Sequence, residues 1–429
     1  MEKYRKITEE LEKASLKGEL NNTCRKIREE GTPSEAKLLD IILHPENEPP
    51  VIKSGTCTCL PGERSRCEAA CLFEAIKRDK NGNMIINRNC TGCGECIDAC
   101  PEKSLEGRKD SVAVISVLKD KKTPVYAMIA PAFSGQFSAD VTSGKLRSAF
   151  KCLGFYGMIE VALFADILTL KEALEFDREI KNDKDFLLTS CCCPMWVALI
   201  RKFYQTMIPH VPPSVSPMVA CGRSIKKLHP DAKTVFIGPC LAKKAEARER
   251  DVADAVDYVL TFEEITELFR IIDIYPERLE ESQSDHSSRA GRIYARTAGV
   301  SEAVQMTLDK LRPDRKIPLK AQQADGIIDC KRLLKEISEG SIGANFIEGM
   351  GCRGGCVGGP KSLIDRELAR DCVNRYGEEA KIQTPADNSY VLDLLHMLGY
   401  DTVESLLDRD NNFTRTFSGF PSENGKKQN

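Results

Sequence analysis

The run CTGCGECIDACP, residues 90–101, leaves little freedom to whatever surrounds it. It reads Cys90-x2-Cys93-x2-Cys96-x3-Cys100-Pro101. Two-residue spacers wrap three thiolates around one small centre, and the loop amides between them point at its sulfurs. This is the run that holds a [4Fe–4S] cubane. Thiolate donors suit iron. Structural zinc more often uses two separated Cys pairs. An irregular partner precedes it, CTCLPGERSRCEAAC, with Cys57, Cys59, Cys67 and Cys71. Its end, CEAACLFEAI, mirrors CIDACPEKSL, so Cys67 corresponds to Cys96 and Cys71 to Cys100. In two-cluster runs the fourth cysteine serves the other cluster. The expected sets are therefore Cys57, Cys59, Cys67 and Cys100 for one cubane, and Cys90, Cys93, Cys96 and Cys71 for the other. The LPGERSR insertion and the tight Cys57–Cys59 spacing leave open whether both of those two are ligands. Two adjacent cubanes make an electron wire, and nothing in them says what the electrons reach.

The chain has 429 residues and 19 cysteines, an odd count gathered in tight clusters. Secreted disulfide scaffolds are short and evenly Cys-dense. Lys+Arg 62 against Asp+Glu 64 leaves a net charge of -2, without the basic excess of a nucleic-acid binder. There is no cleavable signal peptide, and no apolar run approaches the ~20 residues that cross a membrane. The expectation is a soluble, cytoplasmic protein with no membrane and no nucleic-acid partner.

Four segments are expected. Residues 1–50 are charge-rich and helical in pattern, and HPENEPP breaks them off. Residues 51–122 form the two-cluster domain, of ferredoxin-like spacing. From residue 123 to 410, apolar runs (VYAMIAPAF, EVALFA, DFLLTS, TVFIGPC, VDYVLTF, GANFIEGM) alternate with amphipathic stretches, which indicates an α/β domain. Its clustered cysteines lie at or just after these runs, where open α/β sheets place ligands. Residues 411–429 are polar and expected to fray. The isolated Cys24, Cys152, Cys221, Cys330 and Cys372 read as ordinary buried thiols.

Three motifs in the α/β domain carry a resemblance. TSCCCPMW (189–196), PCLAKKAE (239–246) and EGMGCRGGCVGGP (348–360) resemble, in order, the three signature motifs of the [FeFe] hydrogenases. The family patterns are Thr-Ser-Cys-Cys-Pro-x-Trp, Pro-Cys-x-x-Lys-x-x-Glu, and Glu-x-Met-x-Cys-x-x-Gly-Cys followed by glycines. The extra cysteine of the first motif marks a divergent subgroup. The resemblance spans about Val51 to Pro360. It implies an α/β catalytic domain, two lobes of β-sheet flanked by helices around a central cluster, behind an N-terminal α+β ferredoxin-like domain. It also implies an H-cluster, a [4Fe–4S] cubane joined to a two-iron centre with CO, cyanide and a bridging dithiolate. By position its ligands are Cys193, Cys240, Cys352 and Cys356, with Cys356 as the bridge. Lys243 would donate to a cyanide, Glu246 would fix that lysine, and Met350 would line the pocket. Cys192 takes the place of the family's proton-donating thiol. FADILTLKEALEF (164–176) resembles the segment carrying two relay glutamates, here Glu172 and Glu175. The implied substrates are protons and H2, and the implied partners are ferredoxin or a similar carrier and the H-cluster maturation proteins.

The residues support parts of this independently. Four thiolates are one cubane's need, and the Gly349–Gly359 glycines let amides approach an anionic cluster. Glu172 and Glu175 share a helix face, though a solvated acidic face has the same spacing. Lys243 has a neighbour, Lys244, and either one reads equally as a surface lysine. Met195 and Trp196 read as packing. Cys191 reads as a small buried residue; the sharper idea is that the Cys191–Cys192 pair loosens the loop, letting Cys192 cap the vacant iron against O2.

Departures from the family pattern are also specific. Counting from Cys193, the relay serine falls on Pro212, which cannot carry a proton. Gly238, Ala132 and Met218 stand where the family has Met, Ser and Gln, which strips polar and bulky groups from around the two-iron centre. Three readings compete: a hydrogenase, a hydrogen sensor of low turnover on the same site, and a hydrogenase-like iron–sulfur assembly protein lacking the two-iron centre. The last group lacks the thiol that Cys192 supplies.

Overall fold

The computed structural model describes residues 2–57, 59, 65–80, 83–282, 286–408 and 412–417. The chain opens on three helices, Glu2–Lys17, Leu20–Glu30 and Pro33–Leu43. Thr32 and Glu35 form a capping box that starts the third, with Pro33 at its first position. Tyr4, Ile7 and Leu11 of the first helix bury against Leu38, Leu39 and Ile42 of the third and Val112 beyond the cysteine runs.

The cysteine-rich unit is built from two short antiparallel pairs. Strand β1 (Val51–Lys53) pairs with β4 (Leu105–Gly107), and β2 (Ile76–Arg78) with β3 (Met84–Ile86). The helices Arg66–Ala70 and Glu95–Ala99 occupy equivalent places in the two runs and pack on each other. The sequence mirror between CEAAC and CIDAC thus becomes a two-fold structural repeat. Residues 60–64 of the inserted LPGERSR segment lie outside the described residues.

The rest of the chain forms two parallel lobes. The first is a four-stranded sheet ordered β6-β5-β8-β9, from Gly157–Glu160, Val125–Ile129, Lys233–Gly238 and Tyr258–Thr261. The second is ordered β10-β11-β7, from Ala321–Asp325, Phe346–Met350 and Leu187–Leu188. Strands β5 and β11 are buried along their whole length. That is the pattern of parallel strands covered on both faces, and it explains their unbroken apolar runs. The expected fold class is the one the chain adopts. One run differs from expectation: EVALFA is not a strand, because β6 ends at Glu160 and a helix runs from Ala162 to Glu179. That helix is buried on every side from Ala162 to Phe176, so its apolar run carries no helical period to read.

Two other expectations are corrected. The stretch after residue 411 does not simply fray. Val215 N donates to Phe413 O at 3.0 Å, Arg415 N to Pro213 O at 3.0 Å, and Ser214 bridges Thr414. Phe413 is fully buried, and Arg415 Nε reaches Asp251 at 3.0 Å. Apolar burial and an ion pair hold what composition alone marked as a polar tail. Residues 418–429 lie outside the described residues. Of the isolated cysteines, Cys152 is exposed and Cys372 half-buried, while Cys24, Cys221 and Cys330 are buried.

Candidate functional site

The two cysteine runs present their sulfurs to backbone donors in the same way. Ala75 N donates to Cys71 Sγ at 3.2 Å, and Ser104 N to Cys100 Sγ at 3.3 Å, both from four residues on. Gly92 N and Val51 N donate to Cys90, and Glu95 N to Cys93. Gly92 and Gly94 take φ of +75° and +90°, which only glycine holds without strain. Electrostatically, Cys71 acts on Cys90, Cys93 and Cys96, and Cys67 on Cys59. Cys71 thus lies within electrostatic reach of the Cys90–Cys96 run, and Cys67 within reach of Cys96 as well.

At the carboxyl ends of β5, β7, β8 and β11 the two lobes line a cavity of about 70 Å³. Cys193 reaches it from the loop after β7, Cys240 from the loop after β8, and Cys352 and Cys356 from the loop after β11. Close packing shapes that last loop. A Cβ on Gly349 would sit 2.1 Å from the Trp196 ring, and one on Gly351 would sit 2.4 Å from Met195 Cβ. Trp196 and Met195 are thus the packing surface under the loop. Gly351 N donates to Cys193 Sγ at 3.2 Å, and the Ala242 and Lys243 amides donate to Cys240. Among the described residues no three His, Cys, Asp or Glu groups close on a single ion. Four thiols spread around one chamber, with amides aimed at their sulfurs, fit a cluster with four separate corners instead.

Lys243 extends this chamber. It is buried, and its Nζ donates to Cys192 O at 2.9 Å and to Glu246 Oε2 at 2.6 Å. Burial works against the ammonium, but the Glu246 charge outweighs it and keeps its pKa above the ordinary value. Lys244 faces the other way, into a buried network with Asp110 at 3.3 Å and Glu264 at 3.1 Å. The ambiguity between the two lysines is thereby resolved. Met350 and Met218 line the cavity; Ala132 is wholly buried in the main core. At Gly238 the expectation of lost bulk is corrected. A Cβ there would lie 2.8 Å from the Phe236 ring, which itself lines the cavity, with Lys243 Nζ 6.0 Å from its centre. Phe236 supplies the bulk, a compensation two positions away that no motif records.

Glu172 and Glu175 are not a solvated face. Both are 2% exposed, inside the helix Ala162–Glu179. Cys191 is more than a filler: its single S–H has two acceptors in reach, Glu172 Oε1 at 3.4 Å and Val215 O at 3.1 Å. Burial, then the Glu175 charge, push Glu172 up to about 8. Burial followed by Glu172 also raises the Cys191 thiol. Pro212 stands at the counted position, and Ser214, two residues on, donates to Glu175 Oε2 at 3.3 Å. Sequence reasoning also missed Lys171, which binds Glu175 and Ser214, and Tyr294, which lines the cavity near Glu172. The only signal for Lys171 was a lysine four residues before a glutamate, which any exposed helix pair also gives.

Comparison with known proteins matches this geometry. The family model "Iron only hydrogenase large subunit, C-terminal domain" fits residues 123–360, and "4Fe-4S binding domain" fits residues 84–106. Iron hydrogenase 1 of Clostridium pasteurianum is 29% identical over 275 residues, 55% of this chain. The chain spans only 48% of that relative's length. Cytosolic iron-sulfur assembly component 3 of Pongo abelii is 24% identical over 391 residues, covering 74% of this chain and 80% of that protein. Among solved structures, an [FeFe]-hydrogenase of Chlamydomonas reinhardtii superposes with a TM-score of 0.59 at 20% identity. That match covers 72% of this chain and 99% of that one, and it bears on the fold alone. With the matched model spanning both lobes and the cavity between them, the chain belongs to the iron-only hydrogenase family.

Proposed function

We propose that the chain is an [FeFe] hydrogenase, interconverting protons, electrons and H2 (2H+ + 2e− ⇌ H2). One observation carries this reading: the same cavity joins a four-cysteine set to Lys243, Cys192 and Met350. A cubane alone needs the four thiolates, and Lys243 adds a buried cation suited to a larger anionic group. Cys193, Cys240, Cys352 and Cys356 would hold the H-cluster. Lys243, steadied by Glu246, would bind a cyanide. When bound, the H-cluster supplies the electron and H2 chemistry. Phe236, Met218 and Met350 keep water away from it. Cys192 holds and passes the proton at its Sγ, and Glu172 and Glu175 carry it towards the surface.

Electrons would enter through the cubane of Cys57, Cys59, Cys67 and Cys100, then that of Cys90, Cys93, Cys96 and Cys71. Close approach supports this order. A Cβ on Gly92 would lie 2.8 Å from Leu241 O, beside Cys240, and Cys93 acts electrostatically on Cys352. A ferredoxin or similar carrier would dock over the outer run. Cytoplasmic placement and service by H-cluster maturation proteins complete the proposal.

Two other readings have specific support. The match to cytosolic iron–sulfur assembly proteins favours a cubane scaffold without the two-iron centre. The apolar Ala132 and Met218 favour a slow hydrogen sensor on the same site. One experiment separates all three. The chain is matured with the two-iron cofactor, infrared bands of CO and cyanide are recorded, and H2 is assayed. Bands with turnover are expected. Absent bands would leave the assembly reading, and bands without turnover the sensor.

A further inference from the structure

The helix Ala162–Glu179 carries four ionisable side chains into the protein interior: Asp166, bound by Ser288 and the Gly291 amide, and further along Lys171, 1% exposed, with Glu172 and Glu175, each 2%. An unpaired ammonium in so dry a place is costly. Lys171 is paired twice. It forms an ion pair with Glu175 one turn on, and it donates to Ser214 Oγ at 2.8 Å. Ser214 Oγ in turn lies 3.3 Å from the other Glu175 oxygen. Both oxygens of Glu175 are therefore taken, one by the ammonium and one by the hydroxyl.

Glu172 is held differently. One oxygen accepts from Cys191, and the other, Oε2, is buried with no partner. Among the described residues, no hydrogen bond joins Glu172 to Ser214 or to Glu175. The groups acting on Glu172, Cys191 and Tyr294 are Glu175 and Lys171 from the same helix, Cys191 and Cys192 from the loop after β7, Glu348 of β11, and Thr169. Lys171 supplies the positive charge among them.

We infer that Lys171 is a positioning residue of the proton route: its ammonium latches the Glu175 carboxylate onto Ser214, and protons pass between Glu172 and Glu175 only when that latch opens. The chemistry follows from charge. A proton arriving on Glu175 converts the carboxylate to a neutral acid and leaves the Lys171 ammonium buried without a counter-ion, which is unfavourable in an interior of low polarity. The latch makes Glu175 a poor proton acceptor while closed. This inference deepens the hydrogenase reading and rests on it for its role in turnover.

The test uses the full-length chain with its iron–sulfur clusters. Infrared spectra at neutral pH are compared for the parent, K171M, K171R, K171M/E175Q, E172Q and E172Q/E175Q. K171M is expected to gain a protonated-carboxyl C=O band, absent from K171R and lost again in K171M/E175Q. With Glu172 already replaced, E172Q/E175Q should lose carboxylate absorption and no protonated-carboxyl band relative to E172Q, a comparison that stands even if K171M does not fold. A folded K171M without the added band, or loss of a protonated-carboxyl band from E172Q to E172Q/E175Q, would overturn the latch. In matured protein, K171M should raise H2–D2O exchange about tenfold; an unchanged or lower rate would also overturn it. The carboxyl bands need no two-iron centre. Failure of the hydrogenase reading would show separately, as missing CO and cyanide bands.

Discussion

Cys192 and Cys191 are adjacent thiols with different neighbours. Cys192 lines the cavity and offers its carbonyl to Lys243, while Cys191 points to Glu172 and Val215. Replacing Cys192 by Ala should leave CO and cyanide bands in place and lower H2 turnover by about 10²-fold or more, since one positioned acid typically supplies that much. Lost bands would mean that it is Cys192, not Cys193, that ligates. Glu172 gives a second test. Its carboxyl titrates at about 8 in the folded chain, against ~4.3 when unfolded. Between those values the folded chain holds a proton that the unfolded chain has released, so stability falls as pH rises through this window. Above about pH 8 both forms are ionised and the loss is complete. The melting-temperature gain of Glu172→Gln over the parent should therefore grow from pH ~4.5 to about 8 and then level off. A gain independent of pH would remove Glu172 from this account.

At the level of elements, the loop after β11 is legible and fragile for one reason: its glycines are sites of contact. Gly349→Ala would force a methyl group into the Trp196 ring, 2.1 Å from the nearest atom. Overpacking by a single methyl in a well-packed core costs ~1–3 kcal/mol or more. We expect the variant to bind one cubane's worth of iron less than the parent, measured as iron per chain. Full iron content would mean that the loop yields. The sequence carried this loop, the Cys90–Cys100 run and the parallel strands because each is governed by local spacing or by continuous apolarity. Ser214 and Phe236 were not legible. Ser214 owes its place to a bridge with Thr414, far along the chain, and Phe236 to a ring filling the space beside position 238. Lys171 resembled any surface i,i+4 pair, and only the cover supplied by neighbouring helices makes it an interior charge.

Across the whole molecule, the cysteine-rich unit is joined to the catalytic lobes by buried charges as well as by Gly92. Arg108 Nε meets Asp110 at 2.8 Å, and Asp110 also meets Lys244 at 3.3 Å; all three side chains are 0–1% exposed. Burial opposes the Asp110 charge, but Arg108 and then Lys244 outweigh it and hold its pKa below the usual carboxylate range. Removing one member of such a buried set leaves uncompensated charge, at ~3–5 kcal/mol. Asp110→Asn should lower the denaturant midpoint accordingly and loosen the seat of the inner cubane, read as slower reduction of the H-cluster by a carrier than by a small reductant. Equal slowing with both reductants would place the damage elsewhere.

The pairing of residues 412–417 with the loop at 213–215 has a practical meaning for anyone handling this protein. Ser214, whose hydroxyl meets both Lys171 and Glu175, takes its backbone register from Thr414 and the neighbours of Phe413. A truncation after residue 408, or a rigid fusion close behind residue 417, would alter a group deep in the proposed proton route while leaving every cysteine untouched. Such a preparation would look correct by colour and by iron content, yet handle protons differently. Purification handles therefore belong at the other end of the chain.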